Sequence, residues 1–406
     1  MSPPVDDSAL VDLDASPPAV ADALGAATTE IYSIPPSLVS TAQSIVAGGL
    51  VDLGELKQPE LAPHEEGVEV ILRSASGEIA RFHSWRLGPL ARLWSQILIN
   101  RARWAGLDMS LLEVERMGRA DFLALGLTAK NLEDIARARL VEVSIPFNEE
   151  KIGWEARIFP WEAMLSAATK SIRGNESLYV VRHLERSRPE ERKFAEKSVL
   201  YVQSIPHALR DHWNFGQEKK RVMENLSLAR GFEPFAAIDS SREELIEEIF
   251  SRCPGVIHVA GLDNWQGSVL LKLPYSDLRI DGLMLRDWQG DPDEVDSESV
   301  GELIHLLDPR PWLVSFNVYN SAARLGALAV AGGAGAAIGF QDTFDDELAE
   351  QFFARLYKEL NSKDDLLKAF LSAQSNVREK SKQVVGSGMV LWREEQLKPG
   401  DETLLP

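Results

Sequence analysis

Cysteine is nearly absent: Cys253 is the only one in 406 residues. An internal disulfide framework, and any zinc or iron–sulfur site built on clustered cysteines, are thereby excluded. A reducing, cytoplasmic setting is the expected one. Positive charge is scarce too: Lys and Arg number 43 against 62 Asp and Glu, a net charge of −19. That field repels nucleic acid and anionic lipid, so neither is expected as a partner. The one dense basic cluster, Lys219-Lys220-Arg221, reads as a solvated helix face. Long apolar runs are missing as well; no stretch reaches the ~18 residues that a membrane-spanning helix needs. The first residues, MSPPVDD, are acidic and proline-bearing, unlike a secretory signal. What remains is 45% hydrophobic and 26% charged, the composition of a globular chain with a large core. At ~150 residues per domain the length suggests two or three domains.

The acidic excess is uneven. Residues 1–56 hold eight acids and no Lys or Arg. Residues 1–30 are therefore expected to be a disordered acidic tail, unable to bury enough apolar surface to offset its ordering entropy. Residues 31–140 are expected to form a mostly helical module. Within it, Val68–Leu72 has strand character, Leu90, Leu93, Trp94, Ile97 and Leu98 recur at helical spacing, and Gly118 and Gly126 break short helices. From 141 to 395, short apolar runs alternate with helical patterns. Strands are expected at Val141–Pro146, Ala156–Phe159, Leu178–Arg182, Val199–Gln203, Phe235–Ile238, Val256–Ala260, Leu313–Asn317 and Ala336–Phe340. Such runs lack polar alternation and suit a parallel sheet buried on both faces. Residues 396–406 are expected to be a C-terminal tail.

Several segments, in order, carry a family likeness. Phe159-Pro160-Trp161-Glu162-Ala163-Met164-Leu165 is similar to an "LPWELL" segment. Gly255-Val256-Ile257-His258-Val259-Ala260-Gly261-Leu262 is similar to "dvvHfaGHG", and Leu313-Val314-Ser315-Phe316-Asn317-Val318-Tyr319-Asn320-Ser321 to "LVvLNaCeS". A strand at Val199, a helix bearing Glu218 and the Gly333–Leu360 region complete the set. Residues 142–378 thus resemble the CHAT family of caspase-like cysteine peptidases. The resemblance implies an α/β, caspase-like three-layer fold with a mostly parallel central sheet, here preceded by the helical module. It also implies a histidine and a cysteine at neighbouring strand ends, where the imidazole assists a thiolate attack on a peptide carbonyl. In this sequence those two positions are Leu262 and Tyr319. Leucine cannot titrate, and a phenol with pKa ~10 is a poor nucleophile for acyl transfer. The expected role is a catalytically degenerate pseudo-peptidase, a protein-binding or regulatory subunit with a protein or peptide partner. By family analogy its setting is a bacterial stress, conflict or defence system. No cofactor and no metal are expected, and the oligomeric state is left open.

Two other readings remain at this point. One is a hydrolase using Tyr319 or Ser321 with His258, which requires hydrogen-bond reach and an orienting group. The other is a purely structural protein with a filled crevice. The residues expected around the crevice are His258, Asp263, Asn264, Trp265, Trp288, Asn320 and Ser321. Of these, His258 reads first as a core histidine. Trp265 and Trp288 are candidate interface anchors. Asp281 and Asp287 read as turn formers rather than metal ligands. Gly332-Gly333-Ala334-Gly335 lacks the Lys-Ser/Thr ending of a phosphate loop and reads as a helix cap. Cys253 reads as a buried helix-end residue before the strand.

Overall fold

A computed structural model describes residues 67–87, 126–147, 154–186 and, with short breaks, 193–406. In chain order these hold β1 (Glu69–Ser74), β2 (Gly77–His83), α1 (Ala129–Ala138), β3 (Leu140–Pro146), α2 (Trp154–Ile158), α3 (Trp161–Arg173), β4 (Tyr179–Glu185) and β5 (Ser198–Ser204). Next come α4 (Gly216–Arg230), β6 (Glu233–Ile238), α5 (Arg242–Arg252), β7 (Val256–Gly261), α6 (Asn264–Leu270), β8 (Gly282–Arg286), β9 (Pro292–Asp296) and α7 (Ser297–His305). The last are β10 (Leu313–Asn317), α8 (Ala327–Gly332), β11 (Ala336–Phe340), α9 (Asp346–Lys363), α10 (Leu366–Lys380) and β12 (Met389–Arg393). Ten strands make one sheet in the order β2-β1-β3-β4-β12-β11-β10-β7-β5-β6, and β8–β9 is a separate hairpin. From β3 to β6 every pairing is parallel except β11–β12.

The sheet is buried on both faces because its strands alternate apolar with apolar. Ile257, Val259, Val314 and Phe316 face a layer that includes α3, α5, α7 and α8. Val256, Ala260, Leu313 and Ile338 face α4, α9 and α10. This is the three-layer α/β arrangement expected of parallel strands with helical crossovers. Local signals set the helix starts. Ser241 and Glu244 form a reciprocal capping box at α5, Thr128 and Asn131 another at α1, and Asp296 caps α7 through the Ser299 N–H.

Four expectations change. The described part of 31–140 is not a separate helical module: β1 and β2 extend the central sheet through antiparallel pairing of β1 with β3. Residues 88–105, expected to be helical, and residues 1–30, expected to be a tail, lie outside the described residues. Ala156–Phe159 belongs to helix α2 and the bend after it; the Trp161 indole N–H donates to the Ala156 carbonyl at 2.8 Å and fixes that turn. Short apolar runs do not distinguish strand from helix by periodicity. Residues 396–406 are not a free tail, because Leu397, Leu404 and Leu405 pack on the core and the Leu397 N–H donates to Glu142 Oε2 at 2.6 Å. β12, unforeseen from the sequence, sits inside the sheet, with Met389 and Leu391 on one face and Val390 and Trp392 on the other.

Candidate functional site

Strands β7 and β10 run side by side in parallel, with Ala260 opposite Asn317. Two residues beyond that pair, both chains reach Leu262 and Tyr319. The register therefore brings these two positions to adjacent strand ends, on the carboxyl edge where open α/β sheets present their crevice. Leu262 is buried in a small apolar cluster with Ile205, Leu209 and Met284. Its N–H donates to the Ser204 carbonyl at 3.0 Å, and its carbonyl accepts from the Met284 N–H at 3.1 Å. Tyr319 is half-buried, and its hydroxyl donates to Asp346 Oδ1, 3.0 Å away in the first turn of α9.

The neighbouring loops are tied to each other. Asn320, in the left-handed region at φ 56°, donates from Nδ2 to Asp263 Oδ2 at 3.1 Å. Asp263 Oδ1 accepts the Gln266 N–H at 2.5 Å, which starts α6. Asn264 Nδ2 reaches the Val295 carbonyl at 3.1 Å and fastens the β8–β9 hairpin to this edge. The buried Ser321 hydroxyl donates to the Val318 carbonyl at 2.7 Å and accepts the Phe340 N–H at 3.0 Å. It holds the turn after β10 against β11. Trp265 lies on α6, with its side chain outside the described residues. Trp288 stands at the hairpin turn, 76% exposed. Asp287 Oδ1 accepts the Gln289 and Asp291 N–H groups and so closes that turn. Asp281 lies outside the described residues. Among the described residues no group of three or more His, Cys, Asp or Glu side chains could hold a metal ion.

His258 is fully buried within β7 and organises a polar chain. Its Nε2 lies 2.9 Å from Glu218 Oε1, and its Nδ1 lies 2.9 Å from Ser315 Oγ and 2.7 Å from the Tyr357 hydroxyl. A carboxylate can only accept, so Nε2 donates to Glu218. Asn317 Nδ2 also donates to Glu218 Oε1, at 2.7 Å. Burial pushes the Tyr357 and Tyr201 phenols well above their usual range, and the Glu218 charge adds to this. Both therefore stay protonated donors. Ser315, His258 and Glu218 have the connectivity of a hydrolytic triad. However, Ser315 and His258 are inaccessible, and Tyr201 and Phe353 pack against the imidazole. This buried chain ties the sheet to α4 and α9. It does not include Ser321, whose hydroxyl is already engaged as described.

Sequence reasoning placed His258 in the core and flagged Glu218, but missed Ser315 and Tyr357. The signal for Ser315 was a lone hydroxyl in an apolar strand, directly opposite His258 in register. Cys253 is the left-handed cap of α5 at φ 42°, on the amino side of β7 and far along the strand from Leu262. It is half-buried rather than buried, because the helix ends at the surface there.

Among the described residues no helix is long and apolar enough to cross a membrane. No curated protein matches the chain. The CHAT domain family matches residues 154–397, a span that begins at α2, ends just past β12 and contains both strand ends described above. The order of its segments, the register of β7 with β10 and that match agree, and the chain belongs to the CHAT domain family.

Proposed function

We propose that this chain is a catalytically degenerate member of its family, a pseudo-peptidase that binds a protein or peptide segment in its crevice without cutting it. One observation carries the reading: the two side chains at the paired strand ends are engaged in packing and structural bonding. Leu262 fills an apolar cluster, and the Tyr319 phenol is held by Asp346. Neither group offers an imidazole or a thiolate, and acyl transfer by a cysteine peptidase needs both. Ser321 is no substitute, since its hydroxyl bridges two backbone groups and, among the described residues, meets no base. The exposed Trp288 supplies a partner-facing anchor. A regulatory role in a bacterial stress or defence system follows the family analogy.

The test uses the full chain. Electrophilic probes for serine and cysteine nucleophiles are expected to leave it unlabelled, and Tyr319→Phe is expected to leave partner binding intact. Trp288→Ala is expected to weaken that binding roughly tenfold or more. Stoichiometric labelling of Ser321 or Tyr319, or turnover of a peptide library that Tyr319→Phe abolishes, overturns the reading.

A further inference from the structure

Between the sheet and the pair α5 and α7 lies a cavity of about 70 Å³. A single water needs roughly 10–15 Å³, so this space takes the tail of a short aliphatic chain. Its floor includes Val259 and Phe316, its walls Ile246 and Val300, and the β8–β9 hairpin closes it with Leu285. Ile246 and Val300 are half-buried, so the cavity reaches the surface between the two helices.

Two polar side chains share this lining, Arg242 and Ser299. They are half-buried and joined, Arg242 Nη2 donating to Ser299 Oγ at 3.3 Å. Arg242 is the first residue of α5, where a cation opposes the helix dipole. Its position is not explained by a neighbouring acid. Glu244 bonds the Ser241 N–H and Arg286, Asp296 caps α7, and Glu298 pairs with Arg324. Among the described residues the Arg242 guanidinium has a single partner, a neutral hydroxyl. A guanidinium fork matches a carboxylate through two parallel hydrogen bonds, and an apolar pocket with a few convergent polar groups is the usual form of a small-ligand site.

We propose that the cavity binds an aliphatic carboxylate, its chain between α5 and α7 and its head group on Arg242 and Ser299. The site is distinct from the strand ends at Leu262 and Tyr319 and stands whether or not that crevice binds a peptide.

Hexanoate is the probe, titrated into the full chain by calorimetry, with acetate and 1-hexanol as partial ligands. The expected result is saturable one-to-one binding of hexanoate, with acetate and hexanol each at least tenfold weaker. Arg242→Gln, at a half-buried rim position, is expected to weaken hexanoate at least tenfold. Val300→Phe, which fills the space, is expected to abolish binding; should that variant fail to fold, Arg242→Gln and the two partial ligands decide. Absence of saturable binding, acetate or hexanol binding as tightly as hexanoate, or unchanged affinity in Arg242→Gln overturns the proposal.

Discussion

Glu162→Ala lowers the unfolding free energy by about 3–5 kcal/mol, the usual consequence of removing one partner of a buried ion pair. The pair is Glu162 of α3 with Arg182 of β4, both essentially inaccessible. It is bidentate: Arg182 Nε donates to Oε1 at 2.9 Å and Nη2 to Oε2 at 2.5 Å. The remaining guanidinium donors reach the Arg157 carbonyl at 2.6 Å and Gln341 Oε1 at 3.0 Å. Gln341 in turn donates to the Ile158 carbonyl at 2.5 Å, and the Trp392 ring lies 5.3 Å from the guanidinium carbon. One arginine thus joins α2, α3, β4, β12 and the residue after β11. Without Glu162 its charge stays in the interior with neutral acceptors only.

A paired substitution separates this account from simple loss of packing. Glu162→Leu combined with Arg182→Met removes both charges and leaves hydrocarbon of similar volume, which is often close to neutral. The double variant is expected to be at least ~2 kcal/mol more stable than Glu162→Ala, because it leaves no charge buried without its counterion. Urea denaturation of the three proteins, followed by circular dichroism, reads the difference. A double variant as unstable as Glu162→Ala would show that the charge itself is not what the fold depends on.

The same segment shows what a sequence does and does not disclose. Trp161-Glu162 stands out as a motif, yet nothing in the spacing identifies Arg182 as the counterion, because the two are 20 residues apart and meet only through the α3–β4 crossover. The parallel strands were legible because their residues are apolar on both faces, a pattern that suits a doubly covered sheet. Leu313–Asn317 and Ala336–Phe340 match the structure residue for residue. Helix α2 was misread as a strand because five residues are too few to show a period. β12 was missed because its place between β4 and β11 is set by long-range pairing and not by any local turn signal. At the strand ends, the adjacency of positions 262 and 319 followed from the family resemblance. The contacts that fix the neighbouring groups did not follow: Asp263 with Asn320, Tyr319 with Asp346 and Ser321 with Phe340 all depend on loop conformations that the sequence leaves open.

Acid weakens the fold through His183. The ring is nearly inaccessible on β4. Its Nε2 lies 3.0 Å from the Glu394 carbonyl, which can only accept, so Nε2 carries the proton and Nδ1 accepts from the Ser144 hydroxyl at 2.7 Å. Burial pulls its pKa down to about 4, assisted by the charges of Arg73 and Arg393 and opposed by the Glu394 hydrogen bond. In the unfolded chain the value returns to about 6.5. Between those limits the unfolded chain holds a proton that the folded chain does not, so stability rises with pH. The full stability is present above about pH 6.5 and falls as the pH drops toward 4, by roughly 3 kcal/mol in all and ~2 kcal/mol by pH 5. Glu142 on the neighbouring strand acts in the opposite sense. Burial raises its carboxyl pKa, so the folded chain keeps that proton longer and stability falls as the pH rises through its titration. His183→Gln removes the first contribution and leaves the second. The stability difference between wild type and His183→Gln, measured by denaturant titration from pH 7.5 to pH 5, is expected to shift by ~2 kcal/mol against the wild type as the pH falls. A difference that stays flat across that range would mean that the ring takes up its proton in the folded chain as readily as in the unfolded one, and the assignment of Nδ1 as acceptor from Ser144 would fall with it.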